Sequence, residues 1–290
     1  MRIASRAKII ALFVLIGAVI VTALILPSAA SAWRRNAANA QIARALRDNN
    51  SGLSLQRAEA ELAQARAWSA PRDPLVAFAQ ARVLLARGDA SRAVETLRAT
   101  GNALNDDFIA QFIWGQAEWQ AGNADSAFAR WRAAGALDYF ANQSRRASFK
   151  HDWQAAEKYA RIAVGIAPDH AETHYYLGDA MGYQSPGNPE AMRELERAAE
   201  LTTEPEFLST ILSRQGELLV TQGKDRDALA AFDRARKIAP RDARPRIGYA
   251  LSLLRLEPSA ETRAVEILTQ VVDDAPWTVS AHLALARIAE

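Results

Sequence analysis

The sequence predicts an all-α chain, a run of short antiparallel helical hairpins behind an apolar N-terminal segment. Three observations predict it. From about residue 33 apolar residues recur with a helical period, and no strand-like alternation persists. Turn signals recur at Asn49-Asn50-Ser51-Gly52, Arg87-Gly88-Asp89, Ala121-Gly122-Asn123, Gly187-Asn188-Pro189 and Gln222-Gly223-Lys224. They divide the pattern into helices of about 10–15 residues, and the short connections imply antiparallel neighbours. Small and large residues also return at fixed offsets from one segment to the next.

The first element is residues 9–26, IIALFVLIGAVIVTALIL, with no charge in the run. A helix of that length rises about 27 Å, close to the roughly 30 Å hydrocarbon core of a bilayer. Arg2, Arg6 and Lys8 precede it and residues 1–32 contain no acid, so the positive-inside rule keeps the N-terminus inside and exports the rest. Pro27 is expected to end this helix. Ala30-Ser31-Ala32 then has the small-x-small form of a signal-peptidase site. Residues 1–32 therefore read as a signal anchor or a cleaved signal peptide. The body at 33–290 is then expected on the extracytoplasmic side, either anchored or released after cleavage near Ala32; Arg34 and Arg35, just beyond the run, count against that orientation and leave an anchored cytoplasmic body as the alternative.

Next come the repeats. Residues 209–242 hold Gly216, Gly223, Ala228, Phe232, Ala235 and Pro240, at gaps of 7, 5, 4, 3 and 5. Gly115, Gly122, Ala127, Trp131 and Ala134 reproduce the first four gaps, and so do Ala81, Gly88, Ala93, Leu97 and Thr100. This pattern resembles the tetratricopeptide repeat family. The resemblance implies units of about 34 residues, each two antiparallel helices, stacked as a right-handed α-solenoid. A small residue in the first helix lets the second approach, an alanine sits where they cross, and a large residue four later fills the space between.

The best-matching units are 74–106, 107–138 and 209–242. The second-helix alanines fall at Ala58, Ala93, Ala127, Ala156, Ala191, Ala228 and Ala264, which gives about seven units. The spacing drops to 29 at Ala156, and residues 141–150, ANQSRRASFK, read as a short polar helix in a degenerate unit near 139–170. A single helix over 277–290 follows, with Leu283, Leu285 and Ile288 apolar.

Composition narrows the function classes. Half the residues are hydrophobic, which argues against disorder, and glycine and proline number 14 and 11. The absence of cysteine excludes disulfides, thiolate metal sites and a cysteine nucleophile. Taking Arg2, Arg6 and Lys8 from the 35 basic residues leaves 32 against 33 acids, so the body offers no basic field for nucleic acid. No nucleophile elbow, phosphate loop or zinc-binding helix motif occurs, and no catalytic residue, metal, cofactor or small-molecule substrate is expected. His170 and His174, four apart beside Asp169, Glu172 and Asp179, are the one arrangement that suggests a metal-dependent or hydrolytic alternative. The competing expectation is that Asp169 caps a helix and that His174 packs, with His282 at the matching place.

Within the resemblance, first helices line a groove that takes a partner peptide or helix, which implies a non-enzymatic protein-binding scaffold. On repeat spacing the groove residues are Phe78 and Arg82, then Phe112, Gln116 and Trp119, then Tyr175 and Asp179, then Ser213 and Glu217. Trp114 points into the core. The faces lack the lysine, asparagine and arginine set with which some members clamp a C-terminal carboxylate. Arg145, Arg146 and Lys150 form a small basic cluster, and the exposed final helix offers a route to self-association.

Overall fold

The computed structural model describes residues 27–47, 52–70 and 73–289. The apolar segment 9–26 lies outside the described residues, as do Pro71 and part of the Asn49–Gly52 turn. Among the described residues there are helices and no strands, and no helix is long and apolar enough to cross a membrane. The chain divides into two compact units, Met1–Ala136 and Leu137–Glu290.

The first unit holds α1 (27–47), α2 (Gly52–Ala67), α3 (Pro74–Ala86), α4 (Ala90–Arg98), α5 (Phe108–Gln120) and α6 (Ala124–Ala133). The second holds α7 (Leu137–Phe149), α8 (Trp153–Ile166), α9 (Ala171–Gln184), α10 (Pro189–Leu201), α11 (Pro205–Thr221), α12 (Asp225–Ile238), α13 (Ala243–Leu256), α14 (Glu261–Asp274) and α15 (Val279–Ala289). In each unit successive helices pair as hairpins and the hairpins stack on their neighbours. Residues 27–32, which hold the Ala30-Ser31-Ala32 stretch, are helical, and the expectation that Pro27 ends the apolar helix falls at the edge of the described residues.

Glycine–large contacts set the spacing within hairpins. A Cβ on Gly115 would lie 2.6 Å from the Trp131 ring, and one on Gly216 would lie 2.8 Å from the Phe232 ring. At Gly178 it would lie 2.8 Å from both the Ala191 carbonyl oxygen and Leu195. The Phe232 ring also sits against Gly248 of the next hairpin, where a Cβ would come within 2.4 Å. All seven second-helix alanines predicted from spacing are 0% exposed. Alanine is the largest residue that lets two backbones cross so closely while keeping strong helix propensity.

The degenerate unit is more regular than its sequence. α7 is a full helix of 13 residues. Its small position is Ser144, 0% exposed, whose hydroxyl donates to the Ala156 carbonyl at 2.9 Å. Ser209 does the same to Ala235 at 3.0 Å. A buried hydroxyl bonded across the hairpin substitutes for a glycine contact, which hydrophobic spacing does not reveal.

The turns tell a similar story. Gly88, Gly122 and Gly223 have φ of 81°, 85° and 71°, as their place between helices requires. The equivalent place in the α7–α8 hairpin is His151, a non-glycine residue at φ 58°. The strained backbone of a non-glycine residue in this region costs on the order of 1 kcal/mol.

Asp73, Asp89, Asp107, Asp152, Asn188 and Asp242 cap the helices that follow them. Asp169 does not. The cap position of α9 is His170, without a side-chain cap bond, and Asp169 turns instead toward Arg197 at 3.4 Å. The cap falls two residues beyond each unit's proline, as Asp242 follows Pro240, so Asp169 lies one residue early.

Two predictions follow from this packing. Gly216→Ala should lower the unfolding free energy by about 1–2 kcal/mol in chemical denaturation, since overpacking outweighs alanine's helix preference. Combining it with Phe232→Leu should cost less than the sum of the single changes. His151→Gly should raise the stability by roughly 0.5–1 kcal/mol by relieving the positive φ, read as a shift of the denaturation midpoint at constant slope.

Candidate functional site

The sequence-predicted groove residues divide between the units. In the first, Arg82 donates to Asn39 of α1 at 2.9 Å, and its guanidinium lies 6.0 Å from the Phe78 ring. Burial lowers its pKa. Phe112 stacks on the exposed Phe108 at 6.5 Å, and Gln116 is half-buried. Trp119 packs on Phe128 and Trp131 of α6, at 5.8 Å from each. It lies two helical turns beyond Phe112 on the strip that also carries Gly115. Trp131 enters at Gly115 and donates from Nε1 to the Phe112 carbonyl at 3.1 Å. Trp119 thus packs one side against α6 and keeps 36% of its surface exposed.

Trp114 is buried as expected, with Arg130 3.5 Å from its ring centre. The same helix buries Gln111 and Glu118. Gln111 donates to the Leu104 carbonyl at 2.9 Å and accepts from Arg130 at 3.1 Å. Glu118 accepts from Trp114 at 3.3 Å and from Asn123 at 2.7 Å. These buried polar groups are satisfied within the unit and serve its packing.

In the second unit, α9, α11 and α13 are first helices of successive hairpins and pack on one another. Tyr175 and Asp179 lie on α9 and Glu217 on α11, all three partly buried. Ser213 is 0% exposed and donates to the Ser209 carbonyl at 2.8 Å, so it presents nothing at the surface. The neighbouring Arg214 takes the place expected of Ser213. It is 5% exposed. Its Nε lies 2.6 Å from Asp179 Oδ1, a close ion pair whose angle is not that of a hydrogen bond. Its Nη1 reaches Glu217 at 3.2 Å, and its plane lies 3.9 Å from the Tyr183 ring centre. Gly182 opens the space, since a Cβ there would lie 3.3 Å from Arg214 Nη2.

Glu217 Oε1 also lies 3.0 Å from Arg244 Nε of α13, a second ion pair, so charges alternate along Asp179, Arg214, Glu217 and Arg244. Burial raises the Asp179 pKa against the pull of Arg214. Burial opposes the charge on Arg244, but Glu217 and Tyr175 hold its pKa above the usual value. Burial, then the charge of Asp179, push the Tyr175 phenol up to about 12. Beyond Glu217 the face opens into a cavity of about 630 Å³ lined by α11, α12, α13 and the start of α15. Residue spacing did not reveal Arg214, Arg244 or Tyr183. The 35-residue separation of Asp179 and Arg214, one repeat apart with opposite charges, is the available signal.

Among the described residues no cluster of three or more metal-ligating side chains is brought together, and the two histidines have separate surroundings. His174 Nε2 donates to the Pro168 carbonyl at 2.7 Å, and Nδ1 lies 2.6 Å from Glu194. Both ring nitrogens of His174 are thus engaged within the protein. His282 repeats the first contact, with Nε2 2.8 Å from the Pro276 carbonyl, so both imidazoles bond the proline six residues earlier. His170 is exposed at the helix cap.

Adjacent first helices form one face, and in three hairpins a glycine in the first helix receives the large residue of the second. The fold is that of tetratricopeptide repeats. No family profile matches the sequence, and no curated protein matches it. Among solved structures with this fold, the APC/C hetero-tetramer Cut9–Hcn1 is similar at 14% identity and a TM-score of 0.48, over 76% of this chain and 43% of that one. Yeast Tom70 is similar at 14% identity and a TM-score of 0.46, over 89% of this chain and 58% of that one. YrrB, a tetratricopeptide protein with an unusual peptide-binding site, is similar at 17% identity and a TM-score of 0.42, over 73% and 92%. This chain thus spans less than half the length of Cut9–Hcn1 and less than two thirds of Tom70. What this chain binds rests on its own residues.

Arg214→Ala should destabilise the second unit by about 3 kcal/mol, because it leaves Asp179 buried without its counter-charge. Asp179→Asn should cost less. The unfolded phenol of Tyr175 ionises near 10.0 and the folded one near 12. The folded state holds the proton longer, so this contribution is present below pH 10 and is lost as pH rises through about 12. Tyr175→Phe should flatten the loss of stability between those pH values in alkaline denaturation.

Proposed function

We propose that this chain is a non-enzymatic scaffold that holds another protein, through an extended peptide or a helix, on the first-helix face of its second unit. One observation carries the reading. The ladder of Asp179, Arg214, Glu217 and Arg244 fixes α9, α11 and α13 against each other, and it leads directly into the 630 Å³ cavity. A face locked by internal ion pairs loses little freedom when a partner binds, which favours affinity over rearrangement. Tyr175 and Tyr183 add aromatic surface of the kind that anchors partners.

The reading extends to location. The apolar run at 9–26, preceded by three positive charges, would carry the body to the extracytoplasmic side of a membrane. It would then remain as an anchor or be removed near Ala32. A protein partner in the same compartment, such as a membrane or envelope complex, would meet the scaffold there.

A second reading has its own observation. Trp277, Val279 and Leu283 are 80%, 68% and 55% exposed around α15, an apolar surface suited to self-association. Sedimentation over a wide concentration range separates the two. A constant monomer mass sets self-association aside, whereas a concentration-dependent dimer lost in Leu283→Glu supports it.

The scaffold reading predicts that Tyr183→Ala with Arg244→Glu removes a partner captured from native membranes, while circular dichroism shows unchanged helix. Equal recovery of the same partner would overturn it. Mass spectrometry of the N-terminus of the chain recovered from membranes distinguishes an intact anchor from cleavage after Ala32.

A further inference from the structure

The cavity beyond Glu217 has a chemistry more specific than a general groove. Its floor is apolar, formed by Val220, Phe232, Ile247 and Leu251. Its size falls within the roughly 300–1,000 Å³ of pockets that enclose ligands. Polar side chains, Thr278 and Ser280 among them, complete the lining, and two features of it point to an occupant. Ser252 is 1% exposed, lines the cavity, and its hydroxyl has no hydrogen-bond partner. Buried hydroxyls are nearly always bonded, so an unpartnered one beside an open cavity points to a group that arrives from outside.

The second feature is charge. The two acids on the lining are already engaged: Asp242 accepts the Arg244 backbone N–H at 3.0 Å, and Glu217 takes guanidinium groups from Arg214 and Arg244. Arg255 on the rim is different. It is half-exposed and meets Asp225 only at 3.5 Å, in a contact without a hydrogen bond on the Asp225 oxygen. The whole of α13, ARPRIGYALSLLRL, carries three arginines and no acid. The charge left available at the mouth is therefore cationic.

We propose that this cavity takes a bulky apolar side chain from the partner segment, that Arg255 pairs with a carboxylate beside that side chain on the same segment, and that Ser252 bonds the segment's backbone. The proposal rests on the groove reading and names its occupant. Burial of the apolar side chain supplies the affinity. The guanidinium selects the acidic neighbour, because a charge-assisted bond at the mouth exceeds the loose contact it replaces.

The test pans a random decapeptide phage library on the full chain, then measures synthetic versions of the selected peptides by fluorescence anisotropy. The expected peptides carry Leu, Ile, Phe or Trp with Asp or Glu within two positions. Leu251→Arg, which fills the cavity, should weaken them at least roughly tenfold, and Ser252→Ala should weaken them by a smaller factor. Ser252→Ala should leave thermal stability unchanged, because the hydroxyl makes no internal bond. Panning on Arg255→Glu should exchange the acidic preference for Lys or Arg. Peptides insensitive to Leu251→Arg but lost in Tyr183→Ala with Arg244→Glu would overturn the cavity while sparing the groove. Peptides with no acidic preference, or a preference unchanged by Arg255→Glu, would overturn the assigned chemistry. No peptide lost in any variant, or none selected, would overturn the inference together with the groove. Circular dichroism of each variant checks that the helices persist.

Discussion

Two α-helices can cross at short range only where one of them gives up its side chain, and in this protein that exchange recurs along the chain. Trp131 enters at Gly115, Leu195 at Gly178, and Phe232 at Gly216. Phe232 is the fullest case, because its ring is held between Gly216 of its own hairpin and Gly248 of the next. A single aromatic thereby sets the spacing within one hairpin and the stacking of two. The other features of the second unit depend on it. If α12 stood farther from α11, the first helices could not align and the cavity would lose its floor.

Electrostatics then works on a surface that packing has already made. Arg214 is nearly buried, and its charge is balanced by Asp179 on the preceding first helix and Glu217 on its own. Arg244 continues the alternation into the following hairpin. Taking such charges out of water is costly, so their stabilising role lies less in net energy than in holding one arrangement of the three helices. The acids spent in this ladder leave the cavity mouth with a cationic residue at Arg255. Partner chemistry and fold stability thus draw on the same few side chains, and a change at Arg214 disturbs both.

Much of the repeat was legible in the sequence. The seven alanines follow from their spacing, as does the close approach at Gly115, Gly178 and Gly216, because these residue types are the ones that tight crossing permits. What escaped did so for identifiable reasons. Ser144 performs a glycine's task by bonding the Ala156 carbonyl, and His151 adopts a glycine's backbone angle, so neither matches by residue type. Asp169 misses the cap by one residue. Trp119 stays exposed while one side of its ring packs on Phe128 and Trp131, a contact between helices that spacing along one helix does not show. In the second unit Tyr175, Asp179 and Glu217 lie beside the ion-pair ladder, whereas Ser213 is buried and Arg214, one residue on, joins the ladder in its place.

By itself the sequence determined the helical repeat, its period, its turns and the residues at the crossings. It also carries the apolar run at 9–26, which lies outside the described residues. Those properties are local or periodic, and each depends on residues within about one repeat. The tertiary structure alone decided which side chains share a surface. The pairing of Asp179 with Arg214, the joining of Glu217 to Arg244, and the cavity beside Ser252 all arise between hairpins. There a shift of one residue, about 100° around a helix, exchanges a buried group for an exposed one.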